Sequence, residues 1–174
     1  MNGDLPELTE GEPPPGLWVP LARWWKPGGS VGYLLIVMMD PDPEPGDGTP
    51  YKADIHSFKR ENRGPWRWSG GGGSDWRLGW GPRPDGTSFW FEGMGAGGAG
   101  NPFVAPGRAQ SQVKAILVRG DGWETTSPTE PITGAFLIGA DLDEAIEVST
   151  LDVGGRTLRS FGTTTIMDAL PRAR

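Results

Sequence analysis

The sequence predicts an all-β protein built as a two-sheet β-sandwich. Helix breakers are frequent, with 29 glycines and 18 prolines in 174 residues, and they stand between short apolar runs. The same chain carries nine tryptophans, six phenylalanines and two tyrosines, enough apolar volume for a folded core. Because breakers and core residues alternate along the chain, we expect many short strands rather than a low-complexity, disordered polypeptide.

The length predicts one domain with short flanking segments. We expect residues 1–16 to form a disordered, acidic, proline-rich arm, because Gly-Glu-Pro-Pro-Pro-Gly at 11–16 cannot join a β-ladder and the carboxylates repel one another. The sandwich then spans residues 17–162. Residues 163–174 form a short C-terminal tail, with one short helix at 165–170 capped by Thr163 or Thr164.

Three longer strands are predicted in the first half, at 18–25, 31–39 and 51–60. A turn cluster at 26–30 separates the first two, and the proline-rich acidic loop 40–48 precedes the third. Residues 51–60 alternate between apolar and polar types, as a half-exposed strand does. Shorter aromatic strands are predicted at 66–68, 76–80 and 87–91.

The second half has a clearer strand pattern. Strands at 113–119 and 123–126 flank Asp121-Gly122, the signature of a two-residue hairpin, and further strands follow at 132–138, 145–151 and 156–161. The stretch from Val113 to Leu158, with its sequence GAFLIGADLDEAIEVSTLDVGGRTL, resembles the closing strands of immunoglobulin-like and fibronectin-like sandwiches. This resemblance covers less than a third of the chain and lacks the Cys…Trp…Cys spacing of immunoglobulin domains. It implies an architecture with long Gly/Pro-rich loops and no particular activity.

Composition excludes several kinds of chemistry. The chain has no cysteine and a single histidine, His56, so it has no thiolate nucleophile and no two-histidine metal site. Any Ser-His-Asp triad would have to use His56, which lies within a predicted strand. We therefore expect a protein that is not an enzyme and needs no cofactor. An enzyme based on paired carboxylates is the third-ranked alternative.

Charge and hydropathy limit the class of partner and the cellular location that we expect. The net charge of −6 and the pI near 4.8 disfavour nucleic acid as a partner. The N-terminus is acidic where a secretory signal would be basic. The longest apolar run, residues 31–39, has nine residues, whereas a membrane-spanning helix needs about 20. We expect a cytoplasmic protein without a membrane span.

The most distinctive segment is 65–80, PWRWSGGGGSDWRLGW, in which four indoles surround a glycine run. It lies within residues 52–83, where seven basic residues stand against three acidic ones. Indole faces stack on sugar rings or bases and hold arginine. The candidate binding residues are Trp66, Arg67, Trp68, Trp76, Arg77 and Trp80. The alternative is that these tryptophans fill the core and the glycine run is a long hairpin loop.

Two further motifs carry weaker signals. The carboxylates of Asp40, Asp42, Glu44 and Asp47 supply oxygen ligands that suit Ca²⁺, but the prolines between them hold them apart, so we expect a solvated acidic loop. Residues 95–100 match G-x-G-x-x-G, the dinucleotide fingerprint. Because Asn101-Pro102 follows where a helix should begin, we expect a loop there.

We expect a non-enzymatic interaction module that presents its glycine-rich loops, 70–73 and 93–100, and its tryptophan and arginine residues to a protein partner. Trp66, Trp68 and Trp76 are its predicted anchors. Such a module would be a subunit of an assembly, an inhibitor or an immunity-type protein, and its net negative charge would speed encounter with a basic partner. The second-ranked alternative is a carbohydrate-binding module that uses exposed tryptophans. The sequence does not predict the oligomeric state.

Overall fold

The computed structural model describes residues 5, 7–9, 11–62, 64–71, 76–92, 95–98 and 101–169. In this part of the chain the structure is nearly all β, and all pairings between its strands are antiparallel. The all-β prediction is thus confirmed. The elements in chain order are β1 (Val19–Trp25), β2 (Val31–Met39), β3 (Tyr51–Lys59), β4 (Arg67–Gly71), β5 (Trp76–Arg77), β6 (Phe89–Phe91), β7 (Ala96–Gly98), β8 (Asn101–Ala109), β9 (Ala115–Gly120), β10 (Trp123–Pro128), β11 (Ala135–Ala140), β12 (Ile146–Leu151), β13 (Thr157–Thr164) and α1 (Ile166–Ala169).

The strands of the described chain form three sheets. The first sheet is a meander in the order β1-β2-β3-β4, with β5 paired to the other end of β3. The second sheet has the order β11-β8-β6, with β7 paired to the start of β8. The third sheet has the order β10-β9-β12-β13.

The second sheet lies between the other two, so the expected pair of sheets is in fact three layers. Alternate residues of β11 face opposite sides. Leu137 packs in a core cluster with β1, β2 and β3, whereas Phe136 and Ile138 pack in another cluster with β9 and β12. All six residues of β11 are buried. The physical reason is visible in the sequence Ala-Phe-Leu-Ile-Gly-Ala, a continuous apolar run typical of strands that are covered on both faces.

The hairpin predicted at Asp121-Gly122 is confirmed. Trp123 pairs with Gly120, which leaves a two-residue loop between β9 and β10, and Gly122 has φ 73°. Glycine adopts a positive φ of this kind without strain.

The G-x-G-x-x-G match has no helix after it. Ala96–Gly98 is a short strand, and the next described residue, Asn101, already belongs to β8, with which β7 pairs. The segment expected to be a loop therefore includes a β-strand.

β11 begins three residues later than the strand predicted at 132–138. The buried carboxylate of Glu130 accepts hydrogen bonds from the backbone N–H groups of Ile132 (3.0 Å) and Thr133 (2.5 Å) and from the Thr133 hydroxyl (2.7 Å). Gly134 follows with φ 73°. This side-chain hydrogen bonding closes a turn where hydropathy alone indicated a strand.

The described residues between 5 and 16 differ from the disordered arm we expected. Leu5 is only 5% exposed, and the Thr9 N–H donates to the Pro20 carbonyl (2.7 Å). The Gly16 N–H donates to the Met39 carbonyl (2.8 Å). We call the described residues between 5 and 16 the N-terminal strap. Leu5 of the strap packs against Leu34 and Ile36, apolar side chains on the face of the first sheet that is turned away from the second sheet.

The C-terminal residues expected to form a tail also pack in their described part. β13 continues to Thr164, and α1 covers Ile166–Ala169 within the range predicted for a helix. The Thr165 hydroxyl, rather than that of Thr163 or Thr164, accepts a hydrogen bond from the Asp168 N–H (3.1 Å) as a helix cap. Ile166 is buried in the core between the second and third sheets.

Among the described residues, no helix is long and apolar enough to cross a membrane.

Candidate interaction surface on the first sheet

Alternation along β2 divides the first sheet into two faces. Tyr33, Leu35 and Val37 belong to the core shared with the second sheet, whereas Leu34 and Ile36 belong to a separate cluster. We call the side that carries Leu34 and Ile36 the outer face. The strand registers place on it the side chains of Arg23, Trp25, His56, Phe58 and Trp68, and Trp66 packs against the same cluster.

Arginine side chains cover two of the indoles on the outer face. The Arg60 guanidinium carbon lies 4.5 Å from the centre of the Trp66 ring, and that of Arg23 lies 5.6 Å from the Trp25 ring. Arg60 is held in place because its Nε and Nη2 atoms donate to the Gly29 carbonyl (3.2 and 3.1 Å). These cation–π contacts fix the guanidinium groups at the surface, where they carry positive charge.

Trp68 is the most exposed of the described tryptophans, with 63% of its surface accessible. It lies on β4 directly across from Phe58, and its ring centre is 6.3 Å from that of His56. An indole that remains this exposed on a sheet offers a large apolar contact area to a partner.

A pair of like charges lies next to Trp68 along the chain, and strand alternation directs the two side chains to the other face of the sheet. Lys59 of β3 and Arg67 of β4 are directly opposite each other, an arrangement that destabilises a sheet. Neither side chain forms an ion pair with a described residue. Both line a cavity of about 270 Å³ at the β3–β4 hairpin, together with Arg60, Glu61 and Trp68. This end of the first sheet therefore has an excess of positive charge.

The structure divides the six residues predicted from the sequence. Trp66, Arg67 and Trp68 lie together at the β3–β4 hairpin. Arg77 is on β5, opposite Lys52 near the other end of β3. Phe58 lies six positions beyond Lys52 along β3, a distance of about 20 Å.

The remaining predicted residues lie near that second end. Trp80 is half-buried and stacks on Tyr51, with ring centres 5.0 Å apart. The backbone of Trp76 pairs with Ala53, and its side chain lies outside the described residues. Trp80 packs against the core, as the alternative interpretation of these tryptophans expects.

Cations neutralise two carboxylates of the acidic loop. Asp40 forms ion pairs with Lys52 (3.0 Å) and Arg77 (3.1 Å), and Arg77 also pairs with Asp47. The hydrogen bond from Lys52 holds the pKa of Asp40 below its ordinary value. Asp42 and Glu44 join this cluster through their backbone N–H groups, which donate to the Asp40 and Asp47 carboxylates. Within the described residues, no group of three or more side chains is placed to hold a metal ion.

His56 lies near a carboxylate but away from its neighbouring hydroxyl. Its Nε2 is 3.5 Å from Asp54 Oδ2 on the same face. Ser57 points to the other face of the sheet, where its hydroxyl donates to the Gly70 carbonyl (3.0 Å). The adjacent serine is therefore not placed as a nucleophile for this histidine.

A second concave surface lies between the edge strands β6 and β13. It is a groove of about 530 Å³ lined by Phe89, Trp90, Phe91, Val148, Phe161, Thr164 and Ala169. Among the described residues, its lining has no charged side chain, so this part of the groove offers apolar contact with few groups that would orient a ligand.

Sequence reasoning missed Arg23, Trp25, Phe58 and Arg60. The i, i+2 spacing of Arg23 with Trp25, and of His56 with Phe58, signals a shared strand face. That signal does not tell whether the face is covered by another sheet.

Comparisons of the chain with protein-family models, with curated proteins and with solved structures found no match. The assignment of a function therefore depends on the chemistry of the outer face.

Proposed function

We propose that the protein is a non-enzymatic interaction module that binds an acidic protein partner at the β3–β4 end of its first sheet. The observation that carries the proposal is the exposed ring of Trp68, which lines one cavity with the like-charged couple of Lys59 and Arg67, two cations that form no ion pair with a described residue. An indole flanked by arginine is the composition of an interface hot spot. Carboxylates of a partner would relieve the repulsion between the two cations.

The local charge favours an acidic partner over the basic one considered from the net charge. The field that a partner meets on approach is set by the nearby groups, here Lys59, Arg60 and Arg67. The net charge of −6 resides elsewhere on the chain, and it repels long polyanions such as nucleic acid.

A carbohydrate-binding module is the second candidate, favoured by the exposure of Trp68. Saccharide rings stack on free indole faces, whereas guanidinium groups lie against the rings of Trp66 and Trp25. A row of free rings is therefore lacking among these three tryptophans, which supports a protein partner.

We also propose that β6 and β8 to β13 form an immunoglobulin-like sandwich onto which the first sheet is added. Three strands in the order β11-β8-β6 face four in the order β10-β9-β12-β13. The chain passes between these two sheets after β8, β10 and β11, as Greek-key sandwiches require.

The test is affinity capture from lysate of the source cells, compared among wild type, Trp68→Ala and Arg67→Glu, followed by titration with the purified partner. We expect one acidic protein to be captured by wild type and its Kd to rise at least tenfold in each variant, with binding weakened by salt. Val153→Ala is the matched control, because Val153 is 88% exposed in the turn between β12 and β13, outside the first sheet.

Three results would contradict the proposal. One is equal capture of the same proteins by all four chains. Another is Trp68-dependent binding of a saccharide, which would establish the carbohydrate-binding alternative. The last is Arg67-dependent binding of a single-stranded oligonucleotide without a protein partner. Thermal unfolding of each variant shows whether lost binding reflects lost folding.

A further inference from the structure

A glycine creates a notch in the outer face. Gly32 of β2 lies between Trp25 of β1 and Phe58 of β3. A Cβ atom at this position would lie 3.1 Å from two carbons of the Trp66 ring and 3.2 Å from Leu5 Cδ1. These distances are tighter than ordinary contact, so the missing side chain of Gly32 is what makes room for both residues.

Leu5 fills this notch. It is almost completely buried and packs in one cluster with Leu34 and Ile36, against the partly buried rings of Trp66 and Phe58. A leucine side chain thus already occupies a pocket on the face that we propose for partner binding.

The segment that carries Leu5 is acidic, opposite in charge to the guanidinium groups on the outer face. The first twelve residues contain Asp4, Glu7, Glu10 and Glu12 and no basic side chain. Glu7 is exposed, and the Tyr51 hydroxyl donates to the carboxylate of Glu12. The strap is therefore an acidic peptide with a leucine anchor that packs against Trp66.

We infer that the notch at Gly32 is a binding site for a leucine-type side chain within an acidic, extended segment of the partner, and that the N-terminal strap occupies it as an internal ligand in the free protein. This inference rests on the proposed function. Peptides of this kind bind through an apolar anchor in a pocket and through main-chain contacts at a sheet edge. The strap makes both contacts, with Leu5 in the notch and the Thr9 N–H on the Pro20 carbonyl of β1.

The tether makes the strap a competitor. Because Leu5 is covalently linked to the sheet, it meets the notch at a high effective concentration, and a free segment must displace it. The apparent affinity of the free protein for the partner equals its intrinsic affinity multiplied by the fraction of molecules whose notch is empty.

The experiment uses the full chain and a synthetic peptide of residues 1–12, MNGDLPELTEGE. Calorimetric titration compares wild type with Leu5→Glu and with the milder Leu5→Ala, both of which empty the notch. We expect the peptide to bind each variant at least tenfold more tightly than wild type. A peptide with Leu5→Ala should lose this binding, and so should a chain with Leu5→Ala and Gly32→Val, in which the valine fills the notch.

The inference is overturned if the peptide binds Leu5→Ala no more tightly than wild type, or if the Leu5→Ala peptide binds as well as the parent peptide. Its failure is distinguishable from failure of the proposed function. Trp68-dependent capture of an acidic protein would persist if only the inference is wrong, and would be absent if the proposed function is wrong. Circular dichroism confirms that each variant chain is folded before titration.

Discussion

Lys59 and Arg67 are two single residues whose like charges act against the stability of the free protein. They face each other across β3 and β4, where opposite charges or uncharged residues would stabilise the pair. Stabilising substitutions are commonly available at positions that function has shaped. The repulsion therefore has a measurable consequence in the free protein.

Replacing Arg67 with glutamate should stabilise the free protein while weakening partner binding. The change converts a like-charged pair into an opposite-charged pair, which is worth about 0.2–1 kcal/mol across strands. We expect the free energy of unfolding in urea to rise by that amount at low salt and the gain to shrink at high salt.

Arg67→Gln is the control for this prediction. It removes the repulsion without adding attraction, so its effect on the free energy of unfolding should lie between those of wild type and Arg67→Glu. A fall in stability for Arg67→Glu would show that Arg67 has a stabilising partner and would remove the basis of the argument.

Lys26 joins separate elements of the fold. It follows β1 and donates to Asp141 Oδ2 and Glu144 Oε2, each at 2.9 Å, in the turn between β11 and β12. Its ammonium lies 5.2 Å from the ring centre of Trp123 on β10, and the indole N–H of Trp123 donates to Glu144. The first sheet is thereby connected to residues that border both other sheets.

The pKa values of this cluster indicate that its charges are mutually stabilised. Burial alone would lower the pKa of Lys26, but hydrogen bonds from its ammonium to Asp141 and Glu144 raise it above its ordinary value. Burial alone would raise the pKa of Glu144, but hydrogen bonds from Trp123 and Lys26 hold it below its ordinary value.

Lys26→Ala should therefore lower the free energy of unfolding by about 1–2 kcal/mol at pH 7. The depressed pKa of Glu144 means that its contribution is present above its unfolded pKa of 4.5 and is lost as pH falls below it. The raised pKa of Lys26 means that its contribution is present below pH 10.5 and is lost as pH rises above it. Urea unfolding across pH should show the difference from wild type to be largest between these limits.

The matched control is Arg119→Ala, which removes an ion pair with Glu124 that is exposed on both sides. It should cost less than about 1 kcal/mol. An equal loss for the two variants would show that the Lys26 cluster contributes no more than a surface ion pair.

At the scale of the whole molecule, the second sheet is the layer on which the other two depend. Leu137 is fully buried against the first sheet, and its neighbour Phe136 is fully buried against the third. Because one short strand makes both contacts, a substitution on either face of β11 should lower the stability of all three sheets.

Leu137→Ala should lower the free energy of unfolding by about 2–5 kcal/mol and should do so in a single transition. Seven of the nine tryptophans precede residue 81, so fluorescence reports mainly on the first sheet, whereas far-ultraviolet circular dichroism reports on all strands. We expect both signals to shift to the same lower urea concentration. The exposed substitution Val153→Ala should leave both unchanged.

A fluorescence transition that moves while the circular dichroism transition stays in place would contradict this expectation. It would show that the first sheet unfolds separately, and the predicted single domain over residues 17–162 would then be wrong.

Local signals explain which parts of the fold could be predicted. The hairpin at Asp121-Gly122 was predicted because its turn requires residues that tolerate a positive φ, which is a property of adjacent positions. The start of β11 was misplaced because the Glu130 carboxylate bonds the backbone ahead of it, and hydropathy does not report hydrogen bonding.

The candidate surface was predicted only where it is contiguous in the chain. Trp66 and Trp68 share a face because they are two positions apart on an extended segment. Arg77 and Trp80 were grouped with them by sequence proximity, but β4 and β5 pair with opposite ends of β3. Strand register depends on pairing across the sheet, and a glycine-rich connection does not specify it.

The β class, the turn at Asp121-Gly122 and the absence of thiol chemistry could be predicted without a structure, because these follow from residue type and from neighbours in the chain. The three layers of sheets, the packing of Leu5 on Trp66 and the pairing of Lys59 with Arg67 next to an exposed indole became visible only in the fold. Alternation of apolar and polar residues with a period of two shows which residues of a strand share a face. What covers each face is decided by packing between residues far apart in the chain, because burial of apolar surface depends on shape and proximity in space.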